Sequence, residues 1–166
     1  WVKSYRFDEE SRQFSEILNA MDIDKRALGL LFERRSEFYG PPMFLHFAAW
    51  YPALRGGATD FSFASFIPQV LRYPADIQPN WGRGADWRPI FFRWQYHSGW
   101  QYDYFIVRAD TDLSRFFFRR ADCTVRLVRQ VGQWWLYERL TGSPSDPGSC
   151  ASRYHLREHP SRTRRL

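Results

Sequence analysis

The spacing of apolar side chains predicts a helix near the start of the chain. Four of them fall at positions i, i+3, i+4 and i+7, which places them on one helical face: Phe14, Ile17, Leu18 and Met21. Asp8 is a suitable N-cap residue, so we expect a helix from Asp8 to about Met21. Residues 1–7 would then form a lead-in to the domain.

Two runs of apolar residues lack polar alternation and predict strands that are covered on both faces. They lie at 27–32 and 102–107. We expect a third strand at 68–73, and helices at 43–54 and 89–97 between the strands. Because strands that alternate with helices are typical of βαβ units, we expect these three strands to be parallel.

The C-terminal part of the pattern predicts an antiparallel hairpin. Segments 124–129 and 133–138 flank a turn that contains Gly132. Beyond the hairpin the composition changes to Thr, Gly, Ser, Pro and Arg, which predicts a disordered basic tail over residues 141–166. The fold class that follows is α/β: a single domain over residues 8–140 forming a three-layer sandwich. Its central sheet is expected to be mixed, mainly parallel, and to end in the antiparallel C-terminal hairpin.

Composition excludes several classes of protein. A chain of 166 residues with 19% aromatic side chains is long enough to bury one core and too aromatic to be wholly disordered. No run approaches the roughly 20 apolar residues that span a bilayer. Two cysteines are too few for a disulfide scaffold or a four-ligand zinc site, so we expect no metal and no cofactor. The sequence leaves open whether Cys123 and Cys150 pair.

The net charge of +6 divides unevenly along the chain. The last 26 residues carry five arginines against Asp146 and Glu158, so half of the excess lies in this tail and the body is close to balanced. A nucleic-acid-binding module concentrates its positive charge on a folded face. We therefore expect no nucleic-acid partner.

Candidate binding residues follow the two buried strands. In open α/β sheets ligands bind beyond the carboxyl ends of the strands. The candidates in those positions are Arg34, Arg35, Arg108 and Asp110. The predicted 43–54 helix adds three candidates for an anion or general-base site: His46, Tyr51 and Arg55. The alternatives are a solvated rim of charges at the strand ends and, for His46, a helix histidine whose ring packs or contacts water. No motif marks a catalytic residue.

Four blocks of the sequence share their order and spacing with a known family. They are Ala-Leu-Gly-Leu-Leu-Phe-Glu at 27–33, the block 45–51 with Arg-Gly-Gly at 55–57, Tyr-Asp-Tyr-Phe-Ile-Val-Arg at 102–108, and 125–128 closing on 134–139. In these blocks the chain resembles the soluble C-terminal domain of uncharacterised bacterial multi-pass membrane proteins. Those proteins are similar to GT-C type glycosyltransferases, which use polyprenyl-phosphate sugars. The resemblance covers residues 8–139.

The resemblance implies a location and a set of partners. Trp1 would follow a membrane span of the parent protein, and the domain would lie at the cell membrane on the extracytoplasmic (periplasmic) face. The partners would be the membrane-embedded part of the parent chain and a glycan or polyprenyl-linked sugar. The catalytic acidic residues of GT-C enzymes lie in loops between early membrane helices, so the resemblance assigns no catalytic residue here.

Three hypotheses of function follow from these observations. The first is a non-catalytic accessory domain of a membrane glycosyltransferase-like protein that assists glycan or acceptor binding. The second is a free-standing small α/β enzyme with an anion site, which requires convergence of four side chains: Arg34, Arg35, His46 and Arg108. The third is a nucleic-acid-binding module that uses the arginines.

Overall fold

The computed structural model describes residues 2–60, 88–121 and 123–141. Its strands are β1 Arg26–Leu31, β2 Ala58–Thr59, β3 Tyr104–Arg108, β4 Val125–Val131 and β5 Trp134–Arg139. Its α-helices are α1 Val2–Asn19, α2 Trp50–Arg55 and α3 Ser114–Phe117. Short 3₁₀ turns lie at Phe47–Ala49, Pro89–Phe91 and Gly99–Gln101.

The sheet is mixed, with the strand order β2-β1-β3-β5-β4. Strands β1 and β3 pair in parallel from Ala27↔Tyr104 to Leu31↔Arg108, which confirms that the two apolar runs lie side by side. β2 also pairs in parallel with β1, whereas β3–β5 and the β4–β5 hairpin are antiparallel. The α/β class and the C-terminal hairpin are thus confirmed. The sheet is not mainly parallel, because the hairpin strand β5 takes the place beside β3.

Each face of the sheet is covered by its own hydrophobic cluster. Successive side chains of a strand point to opposite faces. Accordingly Ala27 and Leu31 of β1 belong to one cluster, and Leu28 and Leu30 belong to the other. The first cluster contains the apolar face of α1, and the second contains aromatic residues from the segment 88–101 and from α3. The central strands β1 and β3 are therefore buried on both sides, as their unbroken apolar runs predict.

Helix α1 carries the predicted apolar face but begins six residues earlier than its pattern indicates. Phe14, Ile17 and Leu18 are buried as expected. Asp8 is not an N-cap, since it lies within the helix and pairs with Arg12 one turn later, at 2.6 Å. Phe7 packs on the ring of Phe44 with centroids 5.5 Å apart, and this tertiary contact holds the first turns on the domain.

The predicted helix at 43–54 is replaced by shorter pieces. Residues 43–46 form turns and the 3₁₀ turn Phe47–Ala49 leads into α2, so only the second half of the segment is α-helical. This segment packs closely on the sheet, because a Cβ placed on Gly29 would lie 2.8 Å from the Cβ of Ala48. Glycine in the middle of β1 is what permits this approach.

The predicted helix at 89–97 is wrong. The segment forms the 3₁₀ turn Pro89–Phe91 followed by irregular turns. The Arg93 amide donates to Nδ1 of His97 at 2.9 Å, and Ser98 adopts a left-handed backbone with φ 54°. A side chain that captures a backbone amide offers an alternative to helical bonding. The strand expected at 68–73 lies outside the described residues, as does all but the first residue of the predicted tail.

Candidate functional site

Arg108, the last residue of β3, is turned into the protein and is only 2% exposed. Its Nη2 pairs with Oε1 of Glu10 at 2.8 Å, and its Nη1 donates to the carbonyls of Glu33 and Arg35. The guanidinium carbon lies 3.9 Å from the ring centroid of Phe44. Burial lowers the pKa of Arg108 and the charge of Glu10 opposes this shift. Arg108 therefore joins α1 and the loop after β1 to β3.

The other candidates at the carboxyl ends of β1 and β3 are also engaged locally. Arg34 donates from Nε to the Leu31 carbonyl at 3.0 Å. Asp110 accepts a bond from the Gln133 amide at 2.6 Å. Arg35 has an exposed side chain, and its carbonyl accepts from Arg108. The structure thus brings these candidates to one end of the sheet, where β1 and β3 have their carboxyl ends. The donors of Arg108 point away from solvent.

Tyr51 and Arg55 lie at the opposite end of the sheet, beside the amino end of β1. The Tyr51 hydroxyl accepts from the Lys25 amide at 2.9 Å and donates to the Asp22 carbonyl at 2.7 Å. Arg55 donates from Nη2 to the Met21 carbonyl at 2.7 Å. Both side chains hold the connection between α1 and β1, and they do not meet Arg108.

The buried hydroxyl of Tyr51 predicts a loss of stability at alkaline pH. Burial raises the pKa of Tyr51 to about 12, whereas an unfolded tyrosine titrates near 10. Because the unfolded chain loses this proton first, the contribution is complete below pH 10 and falls as the pH rises towards 12. We expect Tyr51 to contribute about 2–3 kcal/mol to the drop in the free energy of unfolding over this interval, measured by urea titration; Tyr104 and Tyr137, whose pKa values burial also raises, add to the drop. Tyr51→Phe should be less stable at neutral pH by about 1–3 kcal/mol and decline less steeply. Parallel curves for the two proteins would contradict the assignment.

His46 lines a small cavity beside β1. The cavity has a volume of about 20 Å³, room for about one water molecule, and its wall includes Thr59 and Asp60. Asp60 accepts the amide of Gly29 at 3.0 Å. None of the other six candidates is among the described residues of its wall. Arg34, Arg35 and Arg108 are thus not among the described residues of this wall, and their convergence with His46, which the enzyme hypothesis requires, stays a prediction.

A larger cleft lies on the face of the sheet that carries the second cluster. Its volume is about 540 Å³, and we call it the arginine cleft; it is lined by Phe92, Arg93, Trp94, Gln95, Arg115, Phe116, Phe117, Arg119 and Arg120. The four arginines are exposed, while Phe92, Trp94 and Phe117 are buried and form the floor. Among the described residues that line it there is no aspartate or glutamate.

The floor of the arginine cleft is anchored on the sheet by ring contacts. Phe92 lies between Phe105 of β3 and Phe117 of α3, with both pairs of centroids 6.0 Å apart. Trp94 also contacts Phe105, at 5.5 Å. Since β3 is the buried centre of the sheet, these contacts present the cleft from a packed base. Arg93 comes from an irregular segment on one side, and the other three arginines come from α3 and the turn after it.

Asp112 is an acidic residue whose charge interacts with that of Arg115, and its Oδ1 accepts two hydrogen bonds. Its Oδ1 accepts from the Tyr137 hydroxyl and from the Ser114 amide, each at 2.7 Å. Burial opposes ionisation of Asp112, but these hydrogen bonds outweigh it and lower its pKa. Asp112 therefore supports α3 and stays ionised, and its charge acts on one of the four arginines of the cleft, Arg115.

The candidate binding residues predicted from the sequence include none of the arginines of the cleft. Its floor residues Phe92, Trp94 and Phe117 are buried. The signal that marks the cleft is the run Arg-Phe-Phe-Phe-Arg-Arg at 115–120, together with Phe-Phe-Arg-Trp at 91–94. An arginine is seldom fully buried unless it is paired, as Arg108 is, so arginines within an aromatic run indicate the border of a core.

No protein-family model, curated protein or solved structure matches this chain. Within residues 2–60, 88–121 and 123–141, no group of three or more His, Cys, Asp or Glu side chains is placed to hold a metal ion. In the same part of the chain, no helix has the length and apolar character needed to cross a bilayer. Cys123 is 7% exposed and disulfide-bonded, and Cys150, the other cysteine, lies outside the described residues.

Proposed function

We propose that this chain is a non-catalytic accessory domain of a membrane glycosyltransferase-like protein, and that it assists the binding of a glycan or acceptor. The arginine cleft carries the binding part of this proposal. It is concave, its floor is aromatic, and four exposed arginines surround it. Its volume of about 540 Å³ falls within the range of ordinary ligand sites, roughly 300–1,000 Å³.

The chemistry of the cleft favours an acidic saccharide over a neutral one. The planar guanidinium group donates two parallel hydrogen bonds to a carboxylate or phosphate. The exposed ring of Phe116 offers an apolar face for a sugar ring among the arginines. A neutral sugar would leave the guanidinium charges without counter-charges, so it should bind more weakly.

The membrane part of the proposal is supported by the family resemblance and by cysteine chemistry. The resemblance implies a position on the extracytoplasmic face, next to the membrane-embedded part of a parent protein. Cys123 is disulfide-bonded, and such bonds persist in oxidising compartments. The gene sequence upstream of Trp1 tests this part directly. We expect it to encode several apolar spans, and an upstream region without any would refute it.

We also propose that the domain is a three-layer sandwich. One outer layer would consist of α1 and the helical segment 47–55, and the other of residues 88–101 with α3. The two hydrophobic clusters, which use alternate side chains of β1 and β3, support this layering.

Calorimetric titration of the chain with oligogalacturonate, using a neutral maltooligosaccharide as reference, tests the binding part. We expect the acidic saccharide to bind more tightly and the double variant Arg119→Gln/Arg120→Gln to lose roughly 10- to 100-fold in affinity. The matched control is Arg12→Gln/Arg126→Gln, which removes two exposed arginines outside the cleft. Equal binding of both saccharides, or equal losses in both double variants, would overturn the role of the cleft.

A further inference from the structure

Large apolar side chains stand exposed in and beside the arginine cleft. Phe116 lines it and is 57% exposed. Ile90 and Phe91 directly precede the floor residue Phe92, and Tyr96 directly follows the lining residue Gln95; their exposed fractions are 55%, 56% and 63%. Isolated exposed apolar residues are ordinary, but several close together along one segment mark an interaction surface.

Exposed arginines alternate with these apolar side chains along the chain. Arg88 and Arg93 flank Ile90 and Phe91 in the sequence, and all four residues are exposed. On the other wall, Arg115 and Arg119 flank Phe116 in the same way. A ligand that matches this surface must meet two requirements. It must carry negative charge for the guanidinium groups, and it must remove the aromatic and aliphatic side chains from water.

An acidic glycan supplies the negative charge and a sugar ring for Phe116, whereas a lipid bilayer also accommodates the other exposed apolar side chains. Lipid phosphates accept bidentate bonds from arginine, and anionic headgroups attract basic residues near the surface. Aromatic side chains settle at the level of the headgroups, where an apolar body and a polar edge are both accommodated. The charge of the cleft is complementary to such a surface, since its described lining contains four arginines and no carboxylate.

We propose that the arginine cleft, together with Ile90, Phe91 and Tyr96, docks on a bilayer that contains anionic phospholipids. The guanidinium groups contact the lipid phosphates, and the exposed apolar side chains enter the interfacial region. The inference goes beyond the proposed function: it uses the same cleft for an anionic ligand and does not depend on saccharide binding. It differs in the ligand class, which is a phosphodiester headgroup in a membrane instead of an acidic saccharide.

Co-sedimentation of the chain with lipid vesicles tests this proposal. We expect binding to vesicles of phosphatidylcholine mixed with phosphatidylglycerol, and little binding to phosphatidylcholine alone. One arginine near an anionic surface contributes roughly fivefold to partitioning, so Arg119→Gln/Arg120→Gln should lose roughly 30-fold. Phe91→Ser/Phe116→Ser should also weaken binding, and this loss should persist in high salt because it removes apolar insertion. Both positions are more than half exposed, so folding should be preserved.

The control Arg12→Gln/Arg126→Gln lowers the net charge by the same amount at exposed sites outside the cleft. We expect it to retain binding. An equal loss in both arginine pairs would show general charge attraction and overturn the docking surface. Displacement from vesicles by inorganic phosphate at low millimolar concentration would assign the cleft to the free ion and would also overturn it.

Titration with oligogalacturonate, run in parallel, separates the two proposals. Vesicle binding without saccharide binding supports the docking surface and refutes the saccharide role. Saccharide binding without vesicle binding refutes the docking surface and leaves the proposed function in place. Absence of both would refute both uses of the cleft.

Discussion

Replacing Arg108 by methionine is expected to lower the free energy of unfolding by about 3–5 kcal/mol. The variant leaves Glu10, whose side chain is 12% exposed, without its cationic partner, although Ser36 still donates to it at 2.6 Å. The carbonyls of Glu33 and Arg35 also lose their donor. Methionine keeps an apolar contact with Phe44, so the cost arises mainly from the uncompensated charge and the unpaired oxygens. Urea unfolding followed by tryptophan fluorescence measures it.

A surface ion pair provides the matched comparison for Arg108. Arg129 pairs with Glu16 at 2.6 Å, but both side chains are 51% exposed. Arg129→Met should therefore cost less than about 1 kcal/mol. The double variant Arg108→Met/Glu10→Met should be more stable than Arg108→Met alone, since it removes the buried unpaired carboxylate. If Arg108→Met lowers the free energy of unfolding no more than Arg129→Met does, Arg108 does not join α1 and the loop after β1 to β3.

Asp103→Ala is expected to cost about 2–4 kcal/mol, the second largest effect. Asp103 precedes β3 and accepts from the Arg26 amide at 3.0 Å and from Nη2 of Arg139 at 2.9 Å. Arg139 is held further by a bond from its Nε to the Tyr102 carbonyl. One carboxylate thus joins β1, β3 and β5 at one end of the sheet, and its loss leaves the largely buried Arg139 without a counter-charge.

Two variants separate the charge of Asp103 from its shape. Asp103→Asn keeps acceptor geometry for one of the two bonds and should cost less than Asp103→Ala in the same urea measurement. Asp8→Ala removes an exposed carboxylate paired with Arg12 and should cost less than about 1 kcal/mol. If Asp103→Ala and Asp8→Ala are equally stable, Asp103 does not join the strands.

The central strands were predictable because their consecutive residues are nearly all apolar, which indicates burial on both faces. A run such as 27–32 has no polar face, so it belongs in a strand with cover on both sides, and the structure confirms this. The short strand β2 at Ala58–Thr59 has no such run. It pairs with β1 through only two residue pairs, and a strand of two residues is too short for a hydrophobic pattern to predict it.

The failures of helix prediction have tertiary causes. Residues 2–7 of α1 show no apolar periodicity of their own, yet Phe7 holds them on the domain through contacts with Phe44 and Phe47. In the opposite direction, the segment 89–97 has apolar residues at helical spacing but follows an irregular path. Its rings pack on β3 and α3, and those contacts decide the backbone course.

The candidate site shows the same division. Arg108 attracts attention at the end of a strand, and nothing beside it in the sequence reveals that Glu10, 98 positions away, neutralises it. The arginine cleft joins residues 92–95 to residues 115–120, and neither segment is a site by itself.

By itself, the sequence determined which side chains must leave water, namely the apolar face of α1 and the two central strands. It also predicted the hairpin, and hence the α/β class. Local spacing encodes these features because burial depends on periodicity within each segment. Only the tertiary structure decided which charges are neutralised inside and which arginines remain at the surface. That outcome depends on contacts between segments far apart in the chain, and residue spacing carries no record of them.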